Sequence, residues 1–166
     1  MEKILALQAD WTYRPMRENE FDYWMNLTLA DYAEDLMINQ LYDKEKAVLE
    51  ASNVTQDALP QGMKTRHHHF RICEHDSLAM GYLWFSLEDN TAFLMDIMLL
   101  PGSQGKGAGK RFMQTFISEL AAMGVEELEL RVSPHNQRAL NLYKKLGFRV
   151  TGLNMYLSLL TQQSTT

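Results

Sequence analysis

Three glycines at alternate positions, Gly105, Gly107 and Gly109, stand between an apolar stretch and an amphipathic one. Glycine tolerates the positive φ angles of a tight turn and leaves backbone N–H groups accessible. A helix that begins at about Gly107 would direct the positive end of its dipole at the same point. The chemistry that these residues could perform is the binding of an anion, with a phosphate or pyrophosphate as the natural ligand.

Two familiar phosphate-binding motifs can be tested against this turn, and both fail. A P-loop that ended in Gly109 and Lys110 would require glycine at Gln104 and Ser or Thr at Arg111. A dinucleotide-binding fingerprint that began at Gly105 would require a small residue at Lys110. The turn alone therefore indicates an anion site without identifying its ligand.

The stretches on either side of the glycines belong to an α/β fold. A nearly continuous apolar strand is predicted at 91–100, and an apolar stripe with helical spacing runs from Phe112 to Leu120. A strictly alternating strand follows at 127–132. Strand, helix and strand in this order predict a right-handed crossover and a parallel pair, with ligands at the carboxyl ends of the strands.

The whole chain, 1–166, is predicted to be a single domain with a mixed central sheet. About six to seven strands and about four helices are expected from the apolar periodicity. Besides the strands named above, further strands are predicted at 11–17, 66–73 and 78–87, and one or two within 148–160. Further helices are predicted to begin at Asn19 or Glu20, at Asp43 and at Gln137. Residues 1–10 are expected to form an N-terminal extension and 161–166 a frayed tail.

Composition excludes several classes of protein. The net charge of −5 lacks the basic surface that nucleic-acid binding usually needs, so no nucleic-acid partner is expected. The first apolar residues are interrupted too soon, at Gln8 and Asp10, for a signal peptide, and no apolar run reaches membrane length. The single cysteine, Cys73, fits a reducing compartment. A cytoplasmic protein without membrane contact is expected.

The run His67-His68-His69 raises the question of a metal site. His67 and His69 would share one face of a strand. Zinc requires three or four converging ligands, and the nearby residues from Cys73 to His75 show no recognised ligand spacing. No metal is predicted, and a structural or substrate-pocket role is preferred for the histidines.

Two segments of the chain carry a resemblance to a known family. The glycine loop, residues 104–109, fits Gln/Arg-x-x-Gly-x-Gly/Ala and resembles the acetyl-CoA loop of the GNAT superfamily of N-acetyltransferases. Residues 136–148 resemble the second signature of that superfamily, Asn-x-x-Ala-x-x-Leu-Tyr-x-x-x-Gly-Phe. The chain departs from the pattern at Leu100, where Asp is frequent, and at Gly102-Ser103, where many members carry a bulky or aromatic residue.

The resemblance implies acetyl-CoA as co-substrate and a splayed opening between the fourth and fifth strands that admits its pantetheine arm. The backbone of Met98 and Leu99 would pair with the arm, and Asn136 would hydrogen-bond to it. The pyrophosphate would bind the N–H groups of the glycine loop, and Lys106 and Lys110 would add positive charge. The residues implied at this site are Gln104, Gly105, Lys106, Gly107, Ala108, Gly109 and Lys110.

The reaction implied is direct transfer of acetyl from acetyl-CoA to a primary amine through a tetrahedral intermediate. A lysine-like amine has a pKa of about 10.4, so a base must accept its proton. Asp96 is the candidate base, although a hydrogen-bonded carboxylate at a strand end explains it equally well. Tyr143 matches the family position of the general acid for the CoA thiolate, whereas its spacing alone would place it in the core. The N–H of Leu99 or of its neighbour is the expected oxyanion donor.

The amine acceptor is left open by the sequence. Asp31, Glu34 and Asp35 could bind a cationic small molecule or peptide, but carboxylates on a helix are usually a solvated face. Apolar residues in the last strands would suit a homodimer or, equally, a buried sheet. The alternative function is a non-catalytic acyl-CoA sensor on the same scaffold, which would keep the loop and could lack a working base.

Overall fold

The computed structural model describes residues 10–103, 105 and 107–160. Most of the predicted N-terminal extension, the predicted tail, Gln104 and Lys106 lie outside the described residues. The strands are β1 Trp11–Pro15, β2 His68–His75, β3 Leu78–Glu88, β4 Thr91–Leu99 and β5 Glu127–Leu130, and the helices are α1 Glu18–Asn39, α2 Lys44–Ala58, α3 Ala108–Ala122 and α4 Gln137–Lys145. These elements form two compact units, Met1–Met25 with Leu59–Arg131 and Asn26–Ala58 with Val132–Thr166.

The first unit contains the sheet, whose strand order is β1-β2-β3-β4-β5. The first three pairings are antiparallel and the pairing of β4 with β5 is parallel. A parallel pair cannot be joined by a tight turn, and α3 supplies the crossover that it needs. The parallel pair predicted from the strand, helix and strand order is confirmed.

Helix starts follow from side chains that satisfy free N–H groups. The Arg17 N–H donates to the Glu20 carboxylate over 2.7 Å at the start of α1, and the Lys46 N–H donates to Asp43 over 2.8 Å at the start of α2. Glu20 also accepts two hydrogen bonds from the guanidinium of Arg14 on β1. Helix starts near Glu20 and Asp43 are therefore confirmed to within two residues.

Alternate side chains of β3 contact different helices. Trp84 packs against Trp24 of α1, with ring centroids 5.6 Å apart, whereas Phe85 packs against Phe116 of α3 at 4.9 Å. Trp24, Phe85 and Phe116 are each fully buried. The sheet of the first unit is thus covered by the first turns of α1 on one face and by α3 on the other.

A β-bulge interrupts the pairing of β3 with β4. Trp84 pairs with Asp96 while Phe85 pairs with Leu94, so Met95 is the extra residue. The parallel pairing with β5 covers only Thr91 to Leu94. Within the described residues, β4 therefore has no β5 partner from Met95 onward, and this is where the predicted splayed opening lies.

The second unit has its own small core. Ala33 and Leu36 of α1 pack with Ala47 and Ala51 of α2, and partly buried residues surround them, namely Leu29, Tyr32 and Tyr42. The Asn39 side chain donates to the Ser133 hydroxyl over 2.7 Å and so connects α1 to the segment before α4. No helix in the described part of the chain is both long and apolar enough to cross a membrane.

The strands predicted within 148–160 are not formed, so the described sheet has five strands and not six to seven. Alternate apolar residues of this segment are exposed instead, with Leu153 at 84%, Met155 at 95% and Leu157 at 67%. Alternation was insufficient because a strand also needs a neighbour for its N–H and C=O groups. The described part of the second unit contains no other strand that could be this neighbour.

Candidate functional site

A tight turn connects β4 to the glycine loop. The Leu100 N–H donates to the Met80 carbonyl of β3 over 2.9 Å, and the Ser103 N–H donates to the Leu100 carbonyl over 3.1 Å. Gly102 supplies the positive φ of the turn, +90°. The hydroxyl of Ser103 donates to the same Met80 carbonyl over 2.8 Å and is buried. The residue before the glycine loop is therefore fastened to β3.

The glycines bring the chain to the N-terminus of α3. Gly105 and Gly107 have φ angles of +81° and +70°, and a Cβ atom at either position would meet no other atom within 4 Å. The first helical hydrogen bond runs from the Arg111 N–H to the Gly107 carbonyl over 3.1 Å. The N–H groups that precede it have no partner within the helix, as at every helix N-terminus. The start predicted at about Gly107 is confirmed to within one residue.

Two basic residues of the first turn of α3 differ in their surroundings. Lys110 is exposed beside the loop. The guanidinium of Arg111 lies 5.1 Å from the ring centroid of Trp11 and so packs against β1. Of Lys110 and Arg111, therefore, Lys110 is the one whose positive charge is exposed to solvent beside the loop.

The end of β4 presents its backbone to the opening. Met98 pairs with Tyr82, and Leu99 pairs with Gly81, where a Cβ atom would lie 2.6 Å from the Met98 carbonyl oxygen. That carbonyl therefore points toward β3. Because backbone groups alternate along a strand, those of Leu99 and Ile97 are directed to the other edge, where β5 has ended. The sequence did not single out Ile97 as a residue of this edge. It could have been found, because backbone groups two residues apart in a strand point to the same edge and Ile97 lies two residues before Leu99.

The bulge at Met95 determines the face on which Asp96 lies. Asp96 is half-buried opposite Trp84, on the face that the start of α1 covers. The Trp84 indole N–H donates to Nδ1 of His68 over 2.8 Å. Burial lowers the pKa of His68 and repulsion from His67 acts in the same direction, whereas the charge of Glu88 opposes them. A neutral imidazole is the form that accepts this hydrogen bond.

Tyr143 and Asn136 belong to the second unit, where both are part of α4 and its cap. Tyr143 is buried, and its ring lies edge-on against Phe148 with the centroids 5.6 Å apart. The side-chain oxygen of Asn136 accepts the Ala139 N–H over 3.2 Å and caps the helix. Asn136 therefore has a structural task that leaves its NH2 group as the donor for a ligand.

Two neighbouring histidines of the run lie on opposite faces of the sheet. His68 contacts Trp84, whereas His69 stacks on Phe85 at 5.0 Å, on the opposite face of the sheet. One other group of possible ligands converges among the described residues, with atoms of Asp10, His75 and Asp76 within 4.8 Å of one another. Both aspartates are exposed. Exposed carboxylates of this kind commonly occur without a metal, so the group is not assigned as a metal site.

Comparison with known proteins identifies the class. Residues 21–148 match the Acetyltransferase (GNAT) family, and the chain belongs to this family. The α/β fold, the N-acetyltransferase class and acetyl-CoA as co-substrate, all expected from the two signatures, are confirmed at this level.

Individual relatives support the assignment. YycN of Bacillus subtilis, an uncharacterised N-acetyltransferase, is 33% identical over 148 residues, which cover 85% of this chain and 94% of YycN. The crystal structure of YycN has a TM-score of 0.84 at 31% identity and covers 90% of this chain and 98% of its own. Spermidine N-acetyltransferase from Vibrio cholerae, solved with CoA and spermine, shares the fold, with a TM-score of 0.64 at 14% identity over 91% of this chain and 89% of its own.

Proposed function

We propose that this enzyme transfers acetyl directly from acetyl-CoA to a primary amine, with the co-substrate bound along the end of β4 and at the start of α3. The observation that carries the proposal is the end of the β5 pairing at Leu94, followed along the chain by glycines that open onto a helix N-terminus. A pantetheine arm carries amides that can pair with a free strand edge, and a pyrophosphate needs N–H donors. The chain offers both in the order that CoA requires.

Each part of the co-substrate then has a group to hold it. The backbone groups of Ile97 and Leu99, which are directed to the open edge, pair with the pantetheine amides, whereas the Met98 carbonyl is directed to β3 and takes no part. The side-chain NH2 of Asn136 donates to the arm. The pyrophosphate accepts hydrogen bonds from the N–H groups of 104–109, and Lys106 and Lys110 add positive charge.

The chemistry needs a base, an oxyanion donor and an acid. Asp96 accepts the proton of the ammonium group, directly or through a water molecule, and so produces the nucleophilic amine. The Leu99 N–H stabilises the negative oxygen that develops on the acetyl carbonyl. As the carbon–sulfur bond breaks, Tyr143 donates its hydroxyl proton to the CoA sulfur and regains a proton from the solvent. The nitrogen loses its second proton to the solvent, Asp96 releases the proton that it accepted, and the products are the amide and free CoA.

We infer that the acceptor is a cation carried by a small molecule or a peptide. Asp31 is exposed on α1, and local desolvation together with the charges of Glu34 and Asp35 raises its pKa, so a bound cation would reduce the repulsion among these carboxylates. A protein that shares this fold was solved with spermine, which is polycationic. Polyamines therefore belong in the substrate panel beside aminoglycosides, amino acids and peptide N-termini.

The test is acetyl-CoA consumption across that panel by wild type, Tyr143→Phe and Asp96→Asn. Loss of the general acid in Tyr143→Phe should lower kcat by roughly a hundredfold or more without changing the Kd for CoA. Tyr156→Phe is the matched control, because Tyr156 lies in the same unit and is 47% exposed. Tight CoA binding with no turnover of any amine would favour the acyl-CoA sensor.

The homodimer and the cytoplasmic location remain predictions. Exposed apolar side chains between Val150 and Leu160 supply surface that a second copy could cover. Light scattering after size exclusion would give the mass of the particle, and a monomeric mass at micromolar concentration would exclude a stable dimer.

A further inference from the structure

Ser103 is a buried polar residue at the entrance to the glycine loop. Its relative exposure is 2%, and it is one of four buried polar residues in the described part of the chain, the others being Thr28, Thr55 and Thr115. Thr115 donates to the Arg111 carbonyl one turn earlier in its own helix. Ser103 instead donates across to β3, at the Met80 carbonyl. Its hydroxyl therefore connects two separate elements.

The Met80 carbonyl holds both ends of the turn. It accepts the Leu100 N–H over 2.9 Å at the start of the turn and the Ser103 hydroxyl over 2.8 Å at its end. The Ser103 N–H donates back to the Leu100 carbonyl over 3.1 Å and closes the turn. Of these bonds, only the hydroxyl bond attaches the residue next to Gln104 directly to the sheet.

The loop that follows needs such an attachment because of its composition. Glycine loses more conformational freedom on ordering than any other residue, and Gly105 and Gly107 both lie within the loop. A loop that becomes ordered only when a ligand binds weakens that binding by the cost of the ordering. Fixing the residue before the loop removes part of this cost.

We propose that Ser103 is a positioning residue for the pyrophosphate of acetyl-CoA. This inference rests on the proposed function, since it assumes that the glycine loop binds that group. Ser103 also lies where the chain departs from the family pattern of a bulky or aromatic residue. The Ser103 side chain is only 2% exposed, so the space around this position is already filled by a small residue. The serine hydroxyl is long enough to donate to the Met80 carbonyl.

The test compares two ligands in wild type, Ser103→Ala and Ser103→Cys. Acetyl-CoA carries the pyrophosphate, whereas acetyl-pantetheine carries the thioester and both amides without it. Ser103→Ala should weaken CoA binding in calorimetry, and raise KM for acetyl-CoA, by roughly three- to tenfold, the effect of one neutral hydrogen bond. The kcat at saturation and the kcat/KM for acetyl-pantetheine should stay unchanged.

Ser103→Cys keeps the size of the side chain with a weaker donor, so an intermediate loss is expected. Ser118→Ala is the matched control, because that hydroxyl also donates to a carbonyl, over 2.9 Å, but on the exposed side of α3. If Ser103→Ala does not fold, Ser103→Cys provides the same comparison.

Three results would overturn the inference. Unchanged CoA affinity in Ser103→Ala would show that the hydroxyl does not order the loop. An equal loss with acetyl-pantetheine would assign Ser103 a general structural role. Absence of CoA binding by wild type would instead remove the proposed function, and the inference with it, so the two failures are distinguishable.

Discussion

Gly107→Val and Gly124→Val form a matched pair that separates backbone strain from ligand binding. The two glycines flank α3, with φ angles of +70° and +80°, and a Cβ atom at either position would meet no atom within 4 Å. An added Cβ atom therefore clashes at neither position, and the left-handed backbone is the cost that the two variants share. This costs about 1–2 kcal/mol for a residue with a side chain. A chain of this size should lose about 2–8 °C in Tm in both variants.

CoA binding should distinguish the two variants. The valine at position 107 places methyl groups in the open space before α3, which is the proposed site of the pyrophosphate. Loss of one hydrogen bond to a charged group costs about 1.5–3 kcal/mol, which corresponds to a Kd for CoA that is roughly 10- to 100-fold weaker. Gly124→Val lies at the other end of α3 and should leave the Kd unchanged.

The assay is calorimetric titration with CoA, and thermal denaturation of the same samples provides the stability control. A loss of about 2 kcal/mol leaves a typical domain almost entirely folded, so the Kd is measured on native protein. Equal Kd values for Gly107→Val and wild type would exclude the glycine loop from the CoA site. Equal losses in both variants would instead attribute the effect to strain in α3.

Three further predictions concern the frame of the first unit. Glu119→Gln should lower the free energy of unfolding in urea by about 2–3 kcal/mol, because Glu119 neutralises the largely buried guanidinium of Arg71 through bonds of 2.6 Å and 2.9 Å. Burial lowers the pKa of His68 below its usual 6.5, so the unfolded chain takes up the proton first and stability is lost as the pH falls below 6.5. His68→Asn should therefore reduce the loss of the urea midpoint between pH 7 and pH 5, and the remaining loss includes that of His69, whose pKa burial also lowers. Gly81→Ala should lower the free energy of unfolding in urea by about 1–3 kcal/mol and should also weaken CoA binding. The reason is that the new Cβ atom would lie 2.6 Å from the Met98 carbonyl oxygen. A variant as stable as wild type would contradict this close approach.

Features that depend on neighbouring residues in the sequence were predictable. The positive φ angles of Gly105 and Gly107 and the start of α3 follow from residue types within a few positions of one another. The caps made by Glu20 and Asp43 are equally local. The glycine loop and the elements around it could therefore be located from the sequence alone.

Features that depend on a partner strand were not predictable. In the sequence, Ser103 stands out only as a departure from the family pattern, because the partner of its hydroxyl, the Met80 carbonyl, lies more than twenty residues earlier. The failed strands at 148–160 have the right alternation, but alternation does not supply a hydrogen-bonding neighbour. In both cases the deciding interaction is with a distant part of the chain.

The position of Asp96 shows how one unpredictable feature alters the chemistry that can be proposed. Regular alternation would place Asp96 on the same face as Leu94, which pairs with Phe85 on the side of α3. The extra residue at Met95 reverses this relation, and Asp96 lies with Trp84 on the side of α1. A carboxylate buried against Phe85 and Phe116 would be out of reach of an amine substrate, whereas one on the α1 side stands beside the free end of β4. The bulge is therefore what makes Asp96 a candidate base.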